Sequence, residues 1–459
     1  MEIKGGKIVM AGGTFEKSVG KVRPGTYINF ESTKQTTVSS SGRGTVIVPL
    51  ANTNWGPAGK LLTITSAAPD RAKVELGYSI NEDDPSGNML LIREALKGAN
   101  TVLAYICTEG TAAATNTGGG LVAAAKYKGT RGNDLSFSVV ANPASGFDVS
   151  VFLSGNTVEN FNNVTTAADL DGSQYITFSA DGSSQISAVA GVALEGGENA
   201  VSNNAGVAEF LGACENAVWN TMAFPFTDSS LQATALSKVK HLRENVGKCV
   251  QIVCPDFSAD YEGIINVTNS YAIEGRELTT AQATAYVAGI TAGAASTESN
   301  TAKVVSGAVR VVGAKTHEEA VEAINKGEFF FSVSEAGSVA VEYDINSLVT
   351  ITDKKDASYK KNKVIRVFDS FADSIKANFP PNRFSNDEDG WEIMEGIGRT
   401  ILKQLGPRSD GGSGAIKNID YTADFLVDRE NSIGDQTFFN VGIEPVDSAE
   451  KLYFTVSTR

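Results

Sequence analysis

The side chains in this 459-residue chain best suited to nucleophilic, acid–base or metal chemistry near neutral pH are two histidines and four cysteines: His241 and His317, and Cys107, Cys214, Cys249 and Cys254. Their surroundings support little of that chemistry. His241 lies in "KVKHLREN" between Lys240 and Arg243, on what reads as a solvated helix face, and His317 follows Thr316 at a helix start. Cys249 and Cys254 flank the apolar run "VQIV" and read as thiols lining a buried strand. A zinc site needs a tighter pair and further ligands. No H-E-x-x-H, G-x-S-x-G or C-x-x-C occurs, so zincin, α/β-hydrolase and thioredoxin chemistries lack their signatures. In "GAVRVVGAKT" Ala314 separates Gly313 from Lys315, and the spacing from Gly307 is one too long for a phosphate loop, so a strand and a turn are expected. "KGTRGND" reads as turn residues before a strand. "NEDDPSGN" lacks the alternating ligand order of a calcium loop and reads as a solvated loop before a helix. No catalytic, cofactor-binding or metal-binding residue is assigned. The residues point to structural or mechanical work.

Composition agrees with that direction. Hydrophobic content of 42% with 20% charged residues is that of a chain with real cores. A formal net charge of −14 argues against a nucleic-acid surface, which would carry a basic stripe. The N-terminal residues lack the apolar core of a secretory signal, and no apolar run is long enough to span a membrane.

The length implies several domains. Residues 1–29 read as an extended arm, broken by glycines and carrying a Pro24-Gly25 turn before "TYINF". Residues 30–110 mix strands ("GTVIVPL", "TVLAYIC") with a helix at "GNMLLIREALKGAN". Residues 111–195 turn to all-β: "DLSFSVV" and "FDVSVFL" alternate about the turn "ANPASG", giving a hairpin in a β-sandwich. Residues 196–352 alternate strands and helices, which favours an α/β layer with a largely parallel sheet. One of its helices is expected over Ser229–Val246, with Leu231, Ala235, Val239, Leu242 and Val246 as its apolar stripe; Thr316 and Glu319 form a capping box on another. Residues 353–459 hold two amphipathic helices, one with Asp387, Glu388 and Asp389 at its start, and then short strands. From Lys451 onward Leu452, Phe454 and Val456 alternate with Tyr453, Thr455 and Ser457, a terminal strand with no later strand to pair with.

"RPGTYINF", "YKGTRGNDLSFSV" and "VGIEPVDSAEKLYFTV" resemble the sheath proteins of contractile phage tails, of the type found in phages and phage-tail-like bacteriocins of Gram-positive bacteria. Thr26 stands where that family more commonly has valine. The resemblance spans nearly the whole chain in its domain order. It implies an N-terminal arm, a small α+β region, a β-sandwich, a subtilisin-like α/β domain without a catalytic triad, and a C-terminal α+β assembly domain ending in a donated strand. Assembly residues are then expected at Pro24, Gly25, Tyr27 and Ile28 near the start. At the other end they are Pro445, Asp447, Glu450, Leu452, Tyr453, Phe454 and Val456. The implied partners are further copies of the chain in stacked rings, the tail tube protein, and baseplate and tail terminator proteins, with no direct nucleic acid, no membrane insertion and no cofactor. The implied place is a tail sheath or phage-tail-like particle assembled in a bacterial cytoplasm. Two other readings remain open on the residues alone: an α/β hydrolase using the 196–352 region, and another self-assembling surface protein, which would carry a secretion signal.

Overall fold

The computed structural model describes residues 11–13, 25–27, 43–68, 71–201, 204 and 206–458. Its centre is a seven-stranded sheet in the order Glu328–Phe329, Ile264–Val267, Gln251–Pro255, Thr221–Ala223, Thr45–Leu50, Thr101–Ile106, Leu61–Thr65. All neighbours are parallel except the last pair. A parallel sheet is covered on both faces, and successive side chains supply one core each. Val46, Val48 and Val253 point into a core shared with helices Asn88–Leu96 and Thr280–Gly293. Ile47, Ile252 and Cys254 point the other way, toward helices Val207–Ala213 and Ser229–Lys240.

The strands read from sequence as an N-terminal α+β region of their own are therefore built into the same sheet as those of 196–352, with Thr45–Leu50 hydrogen-bonded directly beside Thr221–Ala223. Periodicity marks a run as a buried strand but does not say which sheet takes it. The helix after Ser229 differs in a second respect. It is α-helical only to Lys240, and a π-helical turn over His241–Val246 carries it to Gly247 in the left-handed region. The wider turn rotates Val246 off the apolar stripe: Ala235, Val239 and Leu242 are fully buried while Val246 is 42% exposed.

Between Ile106 and Val207 the chain forms the sandwich, four strands (Asn156–Val164, Phe147–Leu153, Leu135–Ala141, Val189–Ala193) against three (Ile176–Ala180, Leu121–Ala125, Thr115–Gly118). The expected hairpin is present, its turn held by Asn142, whose side chain accepts from the Ala144 N–H at 2.8 Å. The incoming and outgoing chains lie side by side, with Ala112 bridged to Glu198 and Thr115 to Glu195. Trp55 from the central layer packs into the sandwich core and meets Tyr127 edge-on at 5.2 Å. Arg131 reaches back, donating to the Gly77 carbonyl at 2.9 Å with its guanidinium 4.1 Å from the Tyr78 ring centre. These contacts seat the sandwich on the central layer.

The C-terminal part packs helix Asn362–Asn378 against helix Glu388–Leu405, whose N-cap Asp387 accepts from the Gly390 N–H at 2.9 Å. Gly398 lets the Phe425 ring lie directly on the second helix, and Phe425 continues into Phe379 and Phe439. Two short antiparallel pairs complete this region: Phe425–Val427 with Phe439–Val441, and Ile416–Lys417 with Glu444–Pro445.

Helices Asn88–Leu96 and Thr280–Gly293 meet backbone to backbone, because a Cβ at Gly289 would run into the Ala95 carbonyl and one at Gly293 into that of Gly98. An exposed helical glycine is stabilised by alanine by about 1 kcal/mol. Here the sign reverses: Gly289→Ala should destabilise the protein by about 2 kcal/mol, the cost of overpacking a rigid contact, read as a lowered midpoint in denaturant unfolding.

Candidate functional site

The side chains with chemical potential are occupied elsewhere. His241 is half exposed with Nε2 3.8 Å from Glu215, and His317 is an exposed first-turn residue behind the Thr316 cap. Lys315 of the loop-like "GAVRVVGAKT" pairs with Glu328 at 3.2 Å after the turn at Gly313. Asp84 accepts from the Met89 N–H at 2.7 Å and Asp83 pairs with Arg93 at 2.8 Å, so both serve the helix that follows them. Among the described residues no three His, Cys, Asp or Glu side chains are placed to share a metal ion. All four cysteines are free thiols. Burial, with the Glu209 carboxylate adding to it, pushes Cys107 up to about 12. Burial also raises Cys214 and Cys249 to about 11, and Cys254 further still.

The polar chemistry of the molecule is concentrated where the C-terminal helices meet the central layer. Arg366 is fully buried; its Nη2 donates to Asp344 Oδ2 at 2.8 Å and to the Glu298 carbonyl at 2.7 Å. Asp344 also accepts from the Asn300 N–H and from Asn362 Nδ2, both at 2.9 Å, and Asn362 Oδ1 accepts from Gln251 Nε2 at 3.1 Å. Further along the same helix Asp369 takes Arg243 in a two-pronged pair at 2.8 and 3.2 Å. Burial alone would lower the Arg243 guanidinium, but Asp369 outweighs it and holds it above the ordinary arginine range.

Above this seam runs the terminal segment. Val446 N–H donates to the Ala415 carbonyl at 2.8 Å. Lys361 Nζ pairs with Asp447 at 2.8 Å and with Glu450, and Lys363 donates to Ser448 Oγ at 3.0 Å. Glu450 Oε1 accepts from Ser299 Oγ at 2.8 Å and Thr301 Oγ1 at 2.7 Å. Burial would lower the Lys361 ammonium, but its hydrogen bonds to Asp447 and Glu450 prevail and raise it above an ordinary lysine. A cavity of about 400 Å³ opens beside this cluster, lined in part by Tyr343, Leu348, Lys360, Lys361 and Asp447. Past Glu450 the segment pairs with no strand among the described residues: Leu452, Tyr453, Phe454 and Val456 are 67%, 89%, 83% and 89% exposed.

Of the residues singled out from sequence, Pro24 and Ile28 lie outside the described residues. Gly25 and Tyr27 belong to strand Gly25–Tyr27, parallel to Ala11–Gly13. Pro445 pairs with Ile416, while Asp447 and Glu450 converge on Lys361. Sequence reasoning missed Lys361, Ser299, Thr301 and the buried Arg366–Asp344 pair. One signal was available: the basic "KKDASYKKNK" at 354–363 is the charge complement of the acidic "EPVDSAE" at 444–450.

Similarity covers almost the whole chain. Residues 43–105 match the domain III N-terminal region of the tail sheath protein Gp18, and 108–199 the phage tail sheath protein beta-sandwich domain. Residues 200–347 match the phage tail sheath protein central domain, and 354–459 the phage tail sheath C-terminal domain. Protein XkdK of the phage-like element PBSX in Bacillus subtilis is 36% identical over 97% of this chain and 99% of its own length. The crystal structure of a sheath tail protein from Desulfitobacterium hafniense superposes with a TM-score of 0.80 at 36% identity, covering 94% of this chain and 99% of that one. The helical sheath of the anti-feeding prophage in its contracted state shares the fold at 14% identity, with a TM-score of 0.54 over 96% of this chain and all of that one.

Two outcomes follow from the geometry. Asp344→Ala should cost about 3–5 kcal/mol, because it leaves Arg366 buried and unpaired, whereas Arg366→Met should cost clearly less; denaturant unfolding of the two variants compares them. Cys249, the one partly exposed thiol, should carry about a hundredfold less thiolate at pH 8 than an ordinary cysteine. Its alkylation by iodoacetamide should accordingly rise about tenfold per pH unit up to about pH 11.

Proposed function

The chain belongs to the phage tail sheath protein family, and from that premise we propose that it polymerises helically around an inner tube and contracts to drive the tube through a target envelope. It is a structural component of a phage or phage-tail-like particle and not an enzyme, which closes the hydrolase reading. The finer reading is strand donation: residues 451–458 add to a sheet edge of a neighbouring copy, with the N-terminal arm donated in the same way. The central α/β layer is taken as subtilisin-like in fold only, since neither histidine stands in a triad. Tube protein, baseplate and terminator are the proposed partners, and the host cytoplasm the proposed place of assembly.

One observation carries this reading. The apolar alternation Leu452, Phe454, Val456 stands exposed in the single chain, immediately after a segment that is firmly held. An exposed strand-forming run beside unpaired edges is a template for another copy. The C-terminal region offers such an edge. Asp428 N–H donates to Phe438 O and Gly442 N–H to Asp424 O, so in the pair Phe425–Val427/Phe439–Val441 it is Asn440 that bonds inward. The backbone groups of Phe439 and Val441 then face outward, beside the half-exposed Phe438 ring. The opposite edge is closed, because the Val427 N–H donates to the buried Glu395 carboxylate at 3.0 Å. In the other pair Pro445 has no N–H to offer. A heterologous contact of this kind need not close on itself, and where it does not close it propagates a helix.

Removal of residues 451–459 should leave the unfolding midpoint of the main body unchanged and abolish tubular polymers in electron micrographs. Phe454→Pro, which deletes a ladder donor in the middle of the run, should do the same. Unfolding of the monomer by either change, or polymers formed without the segment, would sink the donated-strand mechanism.

A further inference from the structure

The terminal segment changes character between two adjacent residues. Up to Glu450 it is fastened to the body; from Lys451 onward it is exposed. The Glu450 carboxylate, 9% exposed, is gripped from two directions. Ser299 and Thr301 belong to the loop beyond helix Thr280–Gly293 of the central layer, and Lys361 precedes helix Asn362–Asn378. Thr301 is itself tied down, its Oγ1 accepting from the Asp344 N–H at 3.0 Å. A second, weaker hold comes from Lys361 to Asp447 and Lys363 to Ser448.

We propose that Glu450 is a positioning residue: it fixes where the segment 451–458 leaves the body and carries the pull on that segment into the central layer. This rests on the reading of 451–458 as donated to a neighbouring copy. Without the Glu450 grip, the segment's attachment falls back to the weaker Lys361–Asp447 and Lys363–Ser448 contacts and, behind them, to the two-residue pair Ile416–Lys417/Glu444–Pro445. That pair lies at the end of a line of force and peels one bond at a time, whereas the three donors around one carboxylate must give way together. The fallback also lengthens the free tether at its root, by the two residues after Ser448, or by the four after Val446 where the weaker hold gives way too. A longer tether spreads its end over a larger volume, and the effective concentration at the acceptor edge falls with it. Holding the root still is thus preorganisation of the docking strand.

The full-length protein supplies two independent readouts. In Glu450→Ala, hydrogen exchange in the peptide covering 446–450 should accelerate by at least about tenfold, since charge-assisted hydrogen bonds to a largely buried side chain are lost. The protein concentration needed for polymers, followed by sedimentation and electron microscopy, should rise by about the same factor, with the unfolding midpoint of the main body unchanged. Glu450→Gln, which keeps an acceptor for the two hydroxyls and loses the ion pair, should fall between, and the double variant Ser299→Ala, Thr301→Val should mimic it. Exchange at 446–450 that is indifferent to these changes overturns the proposal. So does faster exchange with an unaltered assembly threshold. Should chain 1–450 polymerise as readily as the full chain, donation itself is wrong. A chain that needs its last residues but ignores Glu450 removes only the positioning role.

Discussion

The C-terminal end of this protein is organised by the burial of one guanidinium against one carboxylate. Arg366 has no exposed surface, and Asp344 is 2% exposed. Either charge left alone in that setting is strongly destabilising, so helix Asn362–Asn378 has one register at which it can sit on the central layer. That register brings Asn362 to Asp344 and Gln251, and Lys361 to Asp447 and Glu450. It also brings Asp369 to Arg243. Two nitrogens of Arg366 have no hydrogen-bond partner among the described residues, so the pair is better understood as a device for choosing one arrangement than as a source of stability. The footing of the terminal segment inherits its position from this choice.

Much of the architecture was legible because it is local. Capping boxes, N-cap aspartates and period-two alternation depend on residues a few positions apart, and Thr316 with Glu319, Asp387, and the 135–153 hairpin appear as read. What was not legible depends on remote partners. Strand Thr45–Leu50 looks the same in sequence whether its neighbour is near or, as found, some 175 residues away at Thr221–Ala223. The π-helical turn at His241–Val246 breaks an otherwise consistent 3.6-residue stripe, and no residue in it signals the change.

The same division applies to the site. The alternation after Lys451 could be read directly, because apolar–polar alternation is a property of the segment itself, and its apolar residues are exposed. The intramolecular role of Asp447 and Glu450 could not, since the residues that hold them lie about 90 and 150 positions earlier. The absence of an active site was suggested early by there being only two histidines, and family membership gives that reading its proper ground.

The paired bridges at the base of the sandwich give the chain a geometry of insertion. Because Ala112 sits on Glu198 and Thr115 on Glu195, the polypeptide enters and leaves that module through one doorway. Whatever fills the intervening length, the central sheet experiences only two ends held a strand's width apart. Closing them with a much longer or shorter passage changes the entropy only logarithmically. The sandwich between Ile106 and Val207 can therefore drift, be exchanged for a foreign domain, or be trimmed, while the central sheet keeps its strand order. The remaining penalty for such exchange is local, the loss of the Trp55 and Arg131 seat.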